Sequence, residues 1–548
     1  MKIPLINTKA FVLLLTLMLF NSCRKELEKT PLDQFESTTF WTSESNALLA
    51  LTGVYRGNIS VGAPNANVTD WWSYAGLLFM EFSTDNAYDR RGDNSVFNKL
   101  TNGTLTADNA LLSQYWSQSY SRIARSNDFL ANIDKVPMDE VKKKRMIAEA
   151  RFIRACQYFY MSQFWGSVPL VTGLLTKEEA NTLDKAPKAD IVNFVIKEFT
   201  EAAANLPRFK DIPTATESGR ASKQAALAFL GRIQLAEGKY AEAATTYKTI
   251  IDYAENQIDP DYASLFIIAK ENSNENIFSV QFYENLASNG MNQHNWPAMV
   301  GGWHIFCPLG SIVEAYDFAD GTPFSYTDPR YNWRDVSNNR DPRLRYNVLF
   351  NEQVFKVKYI THPDSSASPD QLGAGKQTTQ TGYGLRKFLD EGYSGDLSNY
   401  GGNLPIIRYA EVLLSYLEAK LEAGMPIDQE LLDATINKVR GRASVNMPKI
   451  TQTNVALLRE IVRKERRLET AFEGIRYWDL LRWKIADKVL KGDFYGTPFP
   501  VTVKPVRMKG TTVDPYKRWF VTSKSFRAAS DYQWPVPQTE VNINPKLK

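Results

Sequence analysis

Histidine and cysteine are scarce in this chain, with three of each among 548 residues. The histidines are His294, His304 and His362, and neither H-E-x-x-H nor C-x-x-C occurs. Zinc-hydrolase and redox-thiol chemistry therefore lack their signatures. No G-x-S-x-G elbow is present, which removes the commonest mark of a serine hydrolase. "LGAGKQT" imitates a phosphate loop, but Asp370 stands where its first glycine belongs and Gln377 where Ser or Thr would bind magnesium. His294 and His304 flank two tryptophans with no third metal ligand, so they read as polar loop residues able to hydrogen-bond a ligand. An excess of one charge is also missing, because 65 Lys and Arg face 61 Asp and Glu. The one dense basic run, "RKERR", is interleaved with Glu460, Glu465 and Glu469. That spacing is the pattern of a solvated, ion-paired helix face, and no nucleic-acid partner is expected. Carboxylates are numerous enough to leave a glycosidase-type acid pair open, although Asp317 and Asp320 in "DFADGTPF" read first as a turn.

Apolar runs of membrane-spanning length, ~20 residues, are absent as well. The longest, Ala10 to Phe20, follows Lys2 and Lys9 and has the size of a signal-peptide core. Ser22 and Cys23 come next, in an arrangement resembling a bacterial lipobox, with Phe20 where Leu is favoured. Cys23 is the expected lipidation site, residues 1–22 the leader and residues 23–36 a polar tether. Loss of the leader removes two lysines and no acid, taking the formal charge from +4 to +2. Cys156 and Cys307 read as buried free thiols rather than a disulfide framework.

Aromatic residues, by contrast, are abundant: 29 Phe, 26 Tyr and 12 Trp. Many tryptophans fall among Gly, Asn and Asp rather than on helical faces. Helical periodicity runs through "SESNALLALTGVYRGNI", where Leu48, Leu49 or Leu51, and Tyr55 share a spacing, and through "ALLSQYWSQSYSRIARSNDFLANI". A long helix with Ile147, Ile153, Cys156, Phe159 and Tyr160 on its apolar face is predicted to stop at Gly166. "SKQAALAFLGRIQLAEGKYAEAATTYKTIIDY" reads as two helices broken at Gly238–Tyr240, packed through small residues. This resembles a tetratricopeptide repeat, a unit that cannot bury its face alone. From about 256 to 403 helical periodicity fades, before returning near the C-terminus. The expected fold is mostly α, with divergent tetratricopeptide-like helix pairs as scaffold and a loop-rich region holding a few short strands. The expected division is a helical part over 37–255 and a C-terminal part over 256–548 that carries the ligand face and closing helices.

Within the loop-rich region, "HNWPAMVGGWHIF" (294–306) fits neither helical nor strand periodicity. Trp296 precedes a proline and is steered towards extended backbone. Gly301 and Gly302 free the chain before Trp303. The rings either plug a core from a loop or are held out for a flat ligand.

Three segments resemble the SusD/RagB family of outer-membrane nutrient-binding lipoproteins: "AEARFIRACQYFYMSQFWGSVPLV", "LPIIRYAEVLLSYLEAKLEAG" and "ERRLETAFEGIRYWDLLRW". "DGTPF" and the ending "WPVPQTEVNINPKL" fit too. Within "EGIRYWDLLRW", Arg476 and Asp479 are placed to pair within one turn and Trp478 to pack. The resemblance implies a non-catalytic surface protein; no cofactor and no metal-ligand set are expected from the residues, a structural calcium being left open. It implies lipid attachment to the outer membrane, facing the exterior, and a SusC-like TonB-dependent transporter as partner. An oligosaccharide is the implied ligand, with a peptide, as in RagB-type relatives, or surface glycosidase activity as alternatives. By position in the family, Tyr88, Arg90 and Asn94 belong to an early binding loop. Tyr283, Asn285, Trp296, Trp303 and His304 belong to a second. Trp71 and Trp72 in "TDWWSY" are further candidates, or core.

Overall fold

The computed structural model describes residues 40–57, 70–365, 368–373 and 378–548. The leader, Cys23 and the tether lie outside the described residues. The principal helices are α1 (Glu44–Arg56), α2 (Ala110–Asn132), α3 (Glu140–Phe164), α4 (Lys188–Asn205), α5 (Lys223–Ala236) and α6 (Tyr240–Asp252). They continue with α7 (Met291–Asn295), α8 (Tyr409–Glu422), α9 (Val455–Glu469) and α10 (Arg476–Arg482). Shorter elements connect them. Among the described residues no helix is long and apolar enough to cross a membrane.

Helices α1 to α6 pack each on the next, α8 follows on α6, and α9 on α8. The starts are capped as their sequences dictate. Ser43, Asn109, Asp139, Ser222 and Asn454 each accept a backbone N–H of the first turn. Helix α3 ends where predicted, with Gly166 at φ +75°. The α5–α6 pair breaks at Gly238 (φ +71°) as its sequence requires. Its closeness depends on Gly231, where a Cβ would lie 2.5 Å from the Tyr247 ring.

Four sequence expectations change. In α1 the core face is Ala47, Leu51 and Val54, while Leu48 and Leu49 are exposed. Helix α3 is buried on nearly every side between α2 and α4, so Glu149, Arg154 and Gln157 are buried as well as the predicted face. The "RKERR" helix α9 is only partly a solvated face, because Glu465, Arg466 and Glu469 are buried. Arg343 reaches Glu465 at 2.6 Å and Glu469 at 3.0 Å. Arg408 and Arg442 approach Glu469 at 3.1 and 2.9 Å, and Arg466 pairs with Asp479 at 2.8 Å and Glu411 at 3.1 Å. Periodicity showed alternating charge on one face. It carried no sign that distant arginines would close over it. For the same reason Arg476 pairs with Asp85, 391 residues away, at 3.0 Å and not with Asp479. Trp478 packs as expected, edge-on to Phe159. Near the C-terminus, Trp534 stacks on Phe164 in the core and Gln538–Ile543 is helical.

The strands are short and paired in twos. Strand β1 (Ala87–Asp89) pairs with β3 (Phe306–Pro308), β2 (Asn276–Val280) with β4 (Leu404–Arg408), and β5 (Lys491–Pro498) with β6 (Arg518–Ser525), all antiparallel. One hydrophobic core runs from Trp41 to Leu547. Cys156 and Cys307 are buried free thiols.

Candidate functional site

The aperiodic stretch folds into a tight reversal. Helix α7 ends at Trp296, whose extended backbone leads into Pro297. Gly301 takes φ +91°, and a Cβ on Gly302 would sit 2.1 Å from the Trp296 carbonyl oxygen. Only glycine lets the chain pass so close. The returning strand then hydrogen-bonds to the outgoing one. Trp303 N–H donates to Gln293 O (2.7 Å), His304 N–H to Trp296 O (3.1 Å) and Ile305 N–H to His294 O (2.8 Å).

This reversal sends the two tryptophans to opposite sides. Trp303 is 36 % exposed, and its ring stacks on His294 at 4.8 Å. Trp296 is only 3 % exposed and belongs to a small core with Leu349, Phe355, Tyr359 and Leu389. His304 is fully buried, with Nδ1 3.0 Å from Asp370 and Nε2 3.1 Å from the Tyr359 hydroxyl. Asp370 also accepts the N–H groups of Ala298 (2.7 Å) and Met299 (2.9 Å). The expectation that Trp296 and His304 meet a ligand is thus corrected. Both hold the loop from beneath, because Asp370 and Phe355 arrive from far along the chain to cover them.

The first candidate loop is brought to the second by the β1–β3 ladder, which sets Tyr88 opposite Cys307, and Arg90 N–H donates to Ile305 O at 3.0 Å. Tyr88 itself is corrected from ligand residue to core. It is buried with Leu309, Phe494 and Val521, and its hydroxyl donates to Asp93 at 2.9 Å. Burial lowers the Arg90 pKa, and the residue is half-buried. Asn94 is exposed. Arg91, which the sequence reading passed over, forks onto Asp89 and lies 5.9 Å from the Phe79 ring, itself 6.2 Å from His294. His294, read from the sequence as a polar loop residue able to hydrogen-bond a ligand, is instead buried on helix α7. Its Nδ1 is 2.9 Å from the Tyr74 hydroxyl. Burial first, and Arg91 second, push its pKa down to about 4, so the ring under Trp303 is neutral at pH 7.

The second half of the site is the turn after β2. Tyr283 and Ala287 exchange backbone hydrogen bonds at 2.9 and 3.1 Å, and Asn285 takes φ +67°. Tyr283 is 68 % exposed. Asn399 clasps Asn285, accepting its N–H at 3.0 Å and donating to its Oδ1 at 2.7 Å. The segment carrying Asn399 also accepts Gln293 N–H through Leu397 O at 3.0 Å. It therefore ties the Tyr283 turn to the Trp303 reversal. Beside Asn285 opens a groove of about 520 Å3, walled by Tyr55, Trp72, Phe278, Phe282 and Leu286. Trp72 is wall and core at once, edge-on to Phe278 at 5.4 Å, and Trp71 is wholly core, stacked on Tyr115 at 3.9 Å.

Comparison with known proteins agrees with this architecture. The family model described as "SusD family" matches residues 267–548. A second, described as "Starch-binding associating with outer membrane", matches residues 65–235. A SusD-like carbohydrate binding protein of Bacteroides fragilis superposes with a TM-score of 0.90 at 47% identity, over 93% of this chain and 100% of that one. The starch-binding protein SusD of Bacteroides thetaiotaomicron is 23% identical over 464 residues, 77% of this chain and 75% of that protein. Surface glycan-binding protein A of Bacteroides fluxus shares the fold, with a TM-score of 0.67 at 20% identity over 92% of this chain and 98% of that one. With a family model spanning just over half of the chain and a solved relative matched almost end to end, this protein belongs to the SusD family.

Proposed function

We propose that the protein captures oligosaccharides at the outer surface of the outer membrane and hands them to a TonB-dependent, SusC-like transporter, acting as a binder and not as an enzyme. Cys23 is the proposed lipid anchor. The ligand face is Trp303, Tyr283, Asn285, Arg90, Arg91 and Asn94, with Trp296, Tyr88 and His304 supporting it from within. The observation that carries this reading is the posture of Trp303. A large apolar ring is left open to solvent yet held flat on a neutral imidazole, which Tyr74 orients in turn. A pyranose offers a C–H face to such a ring, and its hydroxyls find amide and guanidinium partners at the rim. The solved relative with 47% identity is described as carbohydrate binding, which supports the same ligand class. Native affinity electrophoresis through polysaccharide-loaded gels tests the reading. Retardation by at least one glycan, lost in Trp303→Ala and accompanied by no released product, is expected. Retention that is indifferent to Trp303, or release of shortened glycan, would sink it. Pull-down of an outer-membrane barrel by the lipidated protein tests the partner.

A further inference from the structure

The groove beside Asn285 differs in character from the open face around Trp303. It lies among α1, the end of β2 and the Tyr283–Ala287 turn, and its volume of about 520 Å3 falls in the range of small-molecule clefts. Phe278 and Trp72 meet edge to face in its wall, and Tyr55, Phe282 and Leu286 extend the apolar lining. A bare pyranose suits such a concavity poorly. Its hydroxyls surround the ring, and each one pressed unpaired against an apolar wall costs about 1–3 kcal/mol.

The buried charges near the groove do not call for an ionic group either, because they are already matched. Arg122 pairs with Asp70 at 2.6 Å. Arg220 pairs with Glu149 at 2.6 Å and Glu217 at 2.7 Å. The Tyr55 hydroxyl donates to Glu149 at 2.7 Å, which fixes that ring in the wall. Of the amides at the groove, Gln281 donates to Ser279 O (3.2 Å) and accepts from Asn403 (3.0 Å), and Asn399 is committed to Asn285 at both ends, so the spare donor at the rim is that of Asn285. Asn285 uses its carbonyl oxygen for Asn399 and keeps its NH2 group as a donor.

We infer that the groove receives a hydroxyl-poor aromatic acyl substituent, of the hydroxycinnamoyl kind, carried on a sugar whose ring lies on the exposed aromatic face. This rests on the glycan reading above and narrows it to substituted glycans. The aryl ring packs against the accessible Tyr55, Phe282 and Leu286, while Phe278 and Trp72, 4 % and 2 % exposed, back that wall from within. The ester carbonyl accepts from the Asn285 amide, and the sugar hydroxyls stay at the wet rim.

The test compares 4-nitrophenyl and methyl glycosides of glucose, xylose and galactose, with methyl ferulate alone as a sugar-free probe, by calorimetry on the full chain. The aryl glycoside of at least one sugar is expected to bind about tenfold more tightly than its methyl counterpart, and methyl ferulate to compete with it. Leu286→Asp, at a side chain 66 % exposed, should erase that advantage without lowering Tm. Ser288→Phe, which fills the groove, should do the same by a different route. Equal binding of aryl and methyl glycosides, an aryl advantage that survives both variants, or no binding of any aryl probe would overturn the inference. Tighter binding of N-acetyl-phenylalanine amide than of every aryl glycoside would assign the groove to peptide side chains and overturn it too. Failure of the glycan reading shows separately, as wild-type protein that no polysaccharide gel retards, whatever methyl ferulate does.

Discussion

Replacing Trp303 with alanine removes a ring that does two separable things. Its open part offers area to a ligand, and its covered part stacks on His294 at 4.8 Å. With the residue 36 % exposed and a tryptophan side chain carrying roughly 250 Å2, the open part amounts to roughly 90 Å2. At roughly 25 cal/mol per Å2 its burial under a sugar is worth about 2 kcal/mol. Trp303→Ala should therefore weaken glycan binding roughly 40-fold. The lost stack costs about 1 kcal/mol, a drop of about 1–2 °C in Tm for a chain of this size. Calorimetry with the glycan found by affinity electrophoresis measures the first, and a melting curve the second. Full affinity in a folded Trp303→Ala protein would refute the reasoning. A drop in Tm beyond about 5 °C would show that the ring is core, and that its exposed edge is incidental.

Trp296→Ala should behave oppositely. It removes a buried ring from the cluster of Leu349, Phe355, Tyr359 and Leu389, costs about 3–5 kcal/mol in stability, and is read as a large shift in denaturant midpoint. Gly302→Ala drives a Cβ to 2.1 Å from the Trp296 carbonyl, so the reversal must open; loss of glycan retention with an intact far-ultraviolet CD spectrum is expected. The buried ion network should make the fold acid-sensitive. Burial alone would raise the carboxyl of Glu411, yet Arg232 and Arg466 hold it at about 2, and Arg442, Arg408 and Arg343 likewise keep Glu469 well below its ordinary value. Their folded pKa values are depressed, so this stability is fully present above about pH 4.5 and fades as pH falls towards about 2. Tm measured across that window should fall steeply, and less steeply in Glu469→Gln, which should itself cost about 3–5 kcal/mol at pH 7 by leaving three arginines short of a partner.

Much of the scaffold is legible in the amino-acid sequence. The break at Gly238–Tyr240, the stop at Gly166 and the small-residue packing of α5 on α6 follow from backbone freedom and side-chain volume, which are local properties. The same holds for the aperiodic stretch, since Pro297 and the Gly301–Gly302 pair exclude regular structure by themselves. What the sequence could not reveal was direction. Periodicity assigns a face only where an element repeats, and a loop has no such face. Trp296 and Trp303 carry the same ring in the same stretch. One is inside because Phe355 and Leu389 meet it there, and the other is outside because His294 and Tyr74 lift it. Tyr88 turned inward against Phe494 and Val521 on the same principle, and Arg476 found Asp85 rather than its own helical neighbour. Local chemistry thus determined the helices, their ends and the place where regularity stops. Contacts between residues hundreds of positions apart decided which aromatic rings face the solvent, because only the folded chain brings their partners together.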